Sequence, residues 1–139
     1  YEDPATKNYA EQLGYALQWT NILRDVGEDS REGRVFLPKD VMEQFGLTTE
    51  SVLSGNPDNE AFLRLMEDQT SVARRFYESA MRALPDRDRK SMRSAELMRK
   101  IYSAILDRME ADGYRVFEKR YHLSKARMIM EFLLAKFIG

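Results

Sequence analysis

Between Asn59 and Leu84 apolar residues return every three or four positions for about seven helical turns. Phe62, Leu65, Met66, Val72, Ala73, Phe76, Ala80 and Ala83 keep this register, with Gln69 among them. That period, sustained so long, fits an amphipathic helix and excludes a strand. Pro85 ends it. The same pattern predicts a helix from about Ser94 to Asp112, with Leu97, Met98, Ile101, Ala104, Ile105, Leu106 and Met109 inside and Gly113 as its stop. At the start, Asp3-Pro4 reads as a cap and first helical position, opening a helix that runs to Val26 or Glu28. Shorter pieces are expected at Lys39–Phe45, closed by Gly46, and from a Thr48 cap to Leu53. A basic turn spans Asp86 to Met92, and 114–123 is irregular or short helix. A last helix over 124–138 places Met128, Ile129, Phe132, Leu133 and Phe137 on one side. With only 7 Gly and 4 Pro in 139 residues, the expected fold is an all-α helical bundle, one domain over 1–139.

Several chemistries drop out at once. The chain has no cysteine, so it holds no disulfide, thiolate zinc site or cysteine nucleophile. Its single histidine, His122, cannot build a multi-histidine metal centre and reads as a solvated loop residue. The net charge of −1 argues against nucleic acid as a partner. That balance hides a division. Residues 1–69 hold 6 basic and 14 acidic side chains, and residues 70–139 hold 16 and 9. Such a division suits a metal and an anion held side by side. No apolar run reaches the ~18–20 residues of a membrane-spanning helix. The expected location is cytoplasmic or peripheral to the cytoplasmic membrane, where the basic half and Phe132, Leu133 and Phe137 could touch an anionic surface.

The first helix carries the chemistry. Tyr15, Trp19, Ile22 and Val26 form one apolar row, and Leu13, Leu17 and Thr20 another. Between them run Gly14, Gln18, Asn21, Asp25 and Asp29. At ~100° per residue, Gln18, Asp25 and Asp29 lie within about 40° of one another if the helix persists that far. An exposed stripe is normally rich in Lys and Glu. A stripe of two amides and two acids, beside a glycine, suits the wall of an internal cavity. Carboxylates one turn apart can share Mg²⁺, which takes oxygen ligands and is often completed by substrate phosphates. Asn21 adds a neutral oxygen. An exposed acidic patch is the plain alternative.

The string from Tyr15 to Asp29, followed by Gly33-Arg34-Val35-Phe36-Leu37-Pro38, resembles the second aspartate-rich motif of the squalene and phytoene synthase family. Leu84-Pro85, Ile101-Tyr102 with Ile105-Leu106, and Gly113-Tyr114 through Arg120 follow in the family's order. These enzymes join two prenyl diphosphates head to head on an isoprenoid-synthase bundle. The resemblance implies that Asn21, Asp25 and Asp29 hold Mg²⁺ and that Asp25 and Asp29 are catalytic. It places Gln18, Arg24, Arg34, Tyr102 and Arg120 at the diphosphate, with Lys119 as the alternative to Arg120. Without the motif, Arg24 would pair with Glu28, Arg34 would cap a helix carbonyl and Tyr102 would be a core tyrosine.

Within the family the chain looks most like bacterial presqualene-diphosphate synthases of hopanoid pathways. That implies condensation of two farnesyl diphosphates to presqualene diphosphate, with NADPH needed only if the reaction continues to squalene. Phytoene or dehydrosqualene synthase is the alternative. A non-catalytic scaffold of the same fold, or a plain helical interaction module, would not need the stripe. Two departures stand out. Phe36 replaces the family's usual Tyr and removes a phenol. The first aspartate-rich motif, which lies upstream in the family, is not found before Tyr15. The expectation is therefore the C-terminal half of a longer enzyme, inactive alone. It would self-associate or pack against its missing N-terminal half through Tyr15, Trp19 and Ile22.

Overall fold

A computed structural model describes residues 4–122 of the chain. The Asp3 cap and the helix expected over 124–138, with Phe132, Leu133 and Phe137, lie outside the described residues. Six helices follow in order: α1 (Pro4–Arg24), α2 (Val26–Arg31), α3 (Lys39–Gln44), α4 (Thr49–Leu53), α5 (Asn59–Ala83) and α6 (Arg93–Ala111). A 3-10 turn at Asp86–Asp88 stands between α5 and α6. Among the described residues there is no strand, and the fold is the expected all-α helical bundle. No helix among them is long and apolar enough to cross a membrane.

Local chemistry sets the boundaries. Thr48 and Ser51 form a reciprocal capping box at α4: each side chain accepts from the other's backbone N–H, at 3.0 and 3.1 Å. Asp58 opens α5 by accepting from the Ala61 amide at 3.0 Å. Leu84 is extended, as a residue before proline must be, so α5 stops one residue short of Pro85. After α6, Gly113 and Tyr114 both take left-handed backbone conformations, φ 75° and 56°. The Tyr114 hydroxyl donates to Thr70 on α5 at 3.0 Å, which helps hold Tyr114 in that conformation, costly for a residue other than glycine.

α1 lies along α5, and α6 packs on both. α1 buries Tyr9, Leu13, Ala16, Thr20 and Leu23 against Phe62, Leu65, Met66, Ala73 and Tyr77 of α5 and Ile105, Leu106 and Met109 of α6. The expected Tyr15–Trp19–Ile22 row is only partly covered. Tyr15 is 51% exposed, its ring 5.5 Å from that of Phe76. Trp19 is tied to α5 by a hydrogen bond from Nε1 to Gln69 Oε1 of 2.9 Å. On α6, Met98 was expected inside but is 39% exposed, although it lies on the same side of the helix as Ile105 and Met109: the buried positions of α6 all fall in its C-terminal half.

The turn after α6 folds back on α2. A Cβ placed on Gly27 would stand 2.0 Å from the Val116 carbonyl oxygen and 2.8 Å from the Phe117 Cα. Only glycine lets these two backbones meet. The rest of the turn is closed by Tyr121. It is buried, donates to Asp112 at 2.6 Å and accepts from the Arg115 amide at 3.0 Å. Lys119, Tyr121 and Arg115 all bond to Asp112 and hold its carboxyl well below the usual carboxylate range.

Candidate functional site

α1 does not run straight into α2. Asp25, with φ −97° and ψ 8°, leaves helical geometry between them. The helical hydrogen bonds nevertheless continue across it. The Asp25 amide donates to the Asn21 carbonyl at 2.9 Å, and the Asp29 amide to the Asp25 carbonyl at 2.8 Å. Asn21, Asp25 and Asp29 therefore keep their one-turn spacing. The line lies nearly half a turn from the buried row of α1, so it points away from the seam between α1 and α5. Gly14 and Gln18 are exposed at its start. Asn21, Asp25 and Asp29 are half-buried.

Asp25 is the centre of a charge cluster drawn from three parts of the chain. Arg24 grips it in a bidentate pair, Nε to Oδ1 at 2.9 Å and Nη2 to Oδ2 at 3.2 Å. The guanidinium also lies 5.9 Å from the Tyr102 ring centre, over its face. Burial works against the Arg24 charge, but the bond and charge of Asp25 outweigh it and raise the guanidinium above its usual range. Arg120, from the turn that Gly27 admits, places Nε 3.5 Å from both Asp25 Oδ1 and Glu28 Oε2. Lys119 instead turns to Asp112 at 2.7 Å and to the Tyr121 ring. Arg120, not Lys119, therefore faces the stripe.

Asp29 has a different setting. Burial raises its carboxyl, the Asp25 charge raises it further, and Arg34 offsets only part of this. Arg34 pairs with Glu32 rather than capping a helix. Asp29, Arg34 and Phe36 line a narrow cleft with Ile22, Val26, Leu37 and Val52, in which no water-sized space remains. The geometry thus brings Arg24, Asp25, Tyr102 and Arg120 together and couples Asp29 to them. Arg34 sits at the Asp29 end and Gln18 on the open side. A separate hollow of about 330 Å³ lies between the α4–α5 loop and the 113–118 turn, and no stripe residue lines it. Glu28 and Gly27 are the participants that spacing alone missed. Gly27 carried a signal, since a glycine inside a helical stretch between two acids is costly without a packing reason.

Among the described residues, no three acidic or histidine side chains converge as a metal site. The stripe offers two carboxylates and an amide instead. Among the described residues, the Asn21 Oδ1 atom is buried without a hydrogen-bond partner. An unmatched oxygen one turn before Asp25, itself one turn before Asp29, gives a line of donors suited to hard divalent cations completed by water and phosphate.

The sequence profile of the squalene/phytoene synthase family matches residues 1–127. The chain belongs to this family. Similar relatives include phytoene synthase 2 of Zea mays, chloroplastic, 40% identical over 128 residues, which are 92% of this chain and 32% of the relative. Chloroplastic phytoene synthase of an Oncidium hybrid cultivar is 39% identical over 123 residues, 88% of this chain and 30% of the relative. Chloroplastic phytoene synthase 1 of Arabidopsis thaliana is 38% identical over 128 residues, 92% and 30%. The chain thus spans about a third of the length of the squalene/phytoene synthases it matches.

Proposed function

We propose that this chain forms one wall of a prenyl-diphosphate synthase that joins two identical substrates head to head. The cluster of Arg24, Asp25, Tyr102 and Arg120 beside Asn21 and Asp29 carries the reading. It places oxygen donors for a cation next to guanidinium donors for an anion. Bound Mg²⁺ would be held along the line of Asn21, Asp25 and Asp29, neighbours one turn apart sharing an ion, and would neutralise the charge on a leaving diphosphate.

The chain's own residues do the rest. Breaking the allylic C–O bond leaves both electrons on the diphosphate and a carbocation on the prenyl chain. Arg24, Arg34 and Arg120 supply positive charge where the diphosphate charge grows, and Gln18 binds its outer oxygens. Tyr102 holds the Arg24 guanidinium in position and offers its hydroxyl to the same anion. The outward stripe leaves the opposite wall, with a second acidic pair and a dry prenyl pocket, to other polypeptide. The 139-residue chain by itself is then inactive.

Phytoene synthase activity is the favoured form, since the curated relatives named above carry that description. The corresponding substrate is geranylgeranyl diphosphate. Farnesyl diphosphate, giving presqualene diphosphate and, with NADPH, squalene, is the second reading. Phe36 bears on it, since it brings no phenol to the cleft beside Asp29 and Arg34. Product analysis of the full-length protein with each diphosphate and Mg²⁺ decides between them. Presqualene diphosphate from farnesyl diphosphate, with no phytoene from geranylgeranyl diphosphate, would reverse the preference. No product from either would favour a non-catalytic scaffold.

A further inference from the structure

The two arginines on Asp25 are held very differently. The Arg24 side chain is 12% exposed, bidentate, and stacked on Tyr102. The Arg120 side chain is 57% exposed and holds Asp25 and Glu28 through one nitrogen at 3.5 Å each, beyond good hydrogen-bond length. Both arginines use the same Asp25 oxygen, Oδ1, while the hydrogen bond to Oδ2 comes from Arg24 Nη2. Arg120's backbone is meanwhile fixed from both sides. Val116 and Phe117 press on Gly27 before it, and Tyr121 is pinned to Asp112 after it. A side chain loosely held on an anchored backbone can change partners without moving the turn.

We propose that Arg120 is a displaceable counter-ion of Asp25, parked on Asp25 and Glu28 until a divalent cation takes the carboxylate and then released to the diphosphate. The inference rests on the cation site of the proposed function. Arg24 stays as the fixed counter-ion, because it would have to break two short bonds and leave the Tyr102 ring. Cation and guanidinium compete for Oδ1, so cation binding gives up the Arg120 pair when it occurs alone. When an anion is present, the freed guanidinium gains a new partner. The two ligands therefore help each other bind, and by linkage each raises the other's affinity by the same factor. The device favours the complete cation–diphosphate pair over a lone cation.

The test uses the full-length protein, with Mn²⁺ as the cation probe followed by electron paramagnetic resonance and inorganic pyrophosphate as the anion. R120Q should tighten Mn²⁺ binding without pyrophosphate by about two- to fivefold, the worth of a part-exposed ion pair. It should weaken pyrophosphate binding in the presence of Mn²⁺. In the unsubstituted protein, Mg²⁺ alone should shift the Arg120 Nε–H resonance, assigned by its loss in R120Q, toward that of a free guanidinium. Pyrophosphate should then shift it again. An Arg120 resonance unmoved at saturating Mg²⁺, or unchanged Mn²⁺ affinity in R120Q, would overturn the proposal. D25N separates the two levels. If it leaves Mn²⁺ binding intact, the cation site itself is wrong and this inference falls with it. If it abolishes Mn²⁺ binding while Arg120 stays still, only the displacement is wrong. In R120K the charge remains, and pyrophosphate binding should recover in part.

Discussion

Thr20 accepts a hydrogen bond from Tyr77 at 2.7 Å in the buried seam between α1 and α5. The direction follows from Thr20 having a single proton, which it gives to the Ala16 carbonyl at 2.8 Å. Burial pushes the Tyr77 phenol up to about 12. The two partners should therefore respond unequally to truncation. Y77F leaves Thr20 bonded to its own helix and should cost about 0.5–1.5 kcal/mol. T20V strands a buried phenol proton and should cost about 1–3 kcal/mol. Urea denaturation of both variants checks the order, and equal losses would contradict the assigned donor.

Gly27 gives a second prediction. Its absent side chain is the space occupied by the Val116 carbonyl. G27A should destabilise by about 1–3 kcal/mol through overpacking and push the 113–121 turn off α2. Arg120 would leave Asp25 with it. Denaturation midpoints measure the first effect, and weakened pyrophosphate binding measures the second. A G27A protein of unchanged stability would show that the two backbones do not meet.

Asp25 is central to both ligands of the proposed site. In the full-length enzyme, D25A should lower cation-dependent turnover by at least about a hundredfold, as expected for loss of transition-state charge stabilisation. Helical circular dichroism should persist, since the buried rows are untouched. Near-normal turnover would remove Asp25 from the mechanism.

Asp29 should behave in the opposite sense toward stability. Its carboxyl is raised by burial first and by Asp25 second. The folded state therefore prefers the protonated form. Its favourable contribution is present below the unfolded value and is lost as pH rises through the raised one. At neutral pH, without cation, the ionised group opposes folding, so D29N should melt higher than the parent. That advantage should vanish as pH falls below the ordinary aspartate range, where the parent is protonated as well. Added Mg²⁺ should narrow the gap at neutral pH by stabilising only the parent. A D29N variant that melts lower at pH 7 would contradict this.

Helix positions were readable because proline, glycine and capping residues mark their ends. The expected and observed limits of α3, α4, α5 and α6 differ by a residue or so. The facing of α1 was harder. Two apolar rows flank its stripe, and only the packing of α5 and α6 selects Tyr9, Leu13, Ala16, Thr20 and Leu23 as the buried one. Thr70 and Tyr77 were missed as interior positions of α5, since a polar group looks exposed until its partner is known. Those partners, Tyr114 and Thr20, are distant in sequence. The spacing of Asn21, Asp25 and Asp29 was legible, but the arrival of Arg120 and Glu28 at Asp25 was not. It depends on a backbone contact at Gly27 that no periodicity encodes.

The opposed faces of α1 have a consequence for how such a chain can diverge. Leu13, Ala16, Thr20 and Leu23 answer to the interior, while Gln18, Asn21 and Asp25 answer to whatever sits outside. Since the two sets share few neighbours, their substitution effects should be nearly additive. A saturation library across residues 9–29 should then resolve into two interleaved waves of helical period, one visible in abundance and the other only in ligand affinity. Selection can retune the chemistry of this helix without renegotiating its fold.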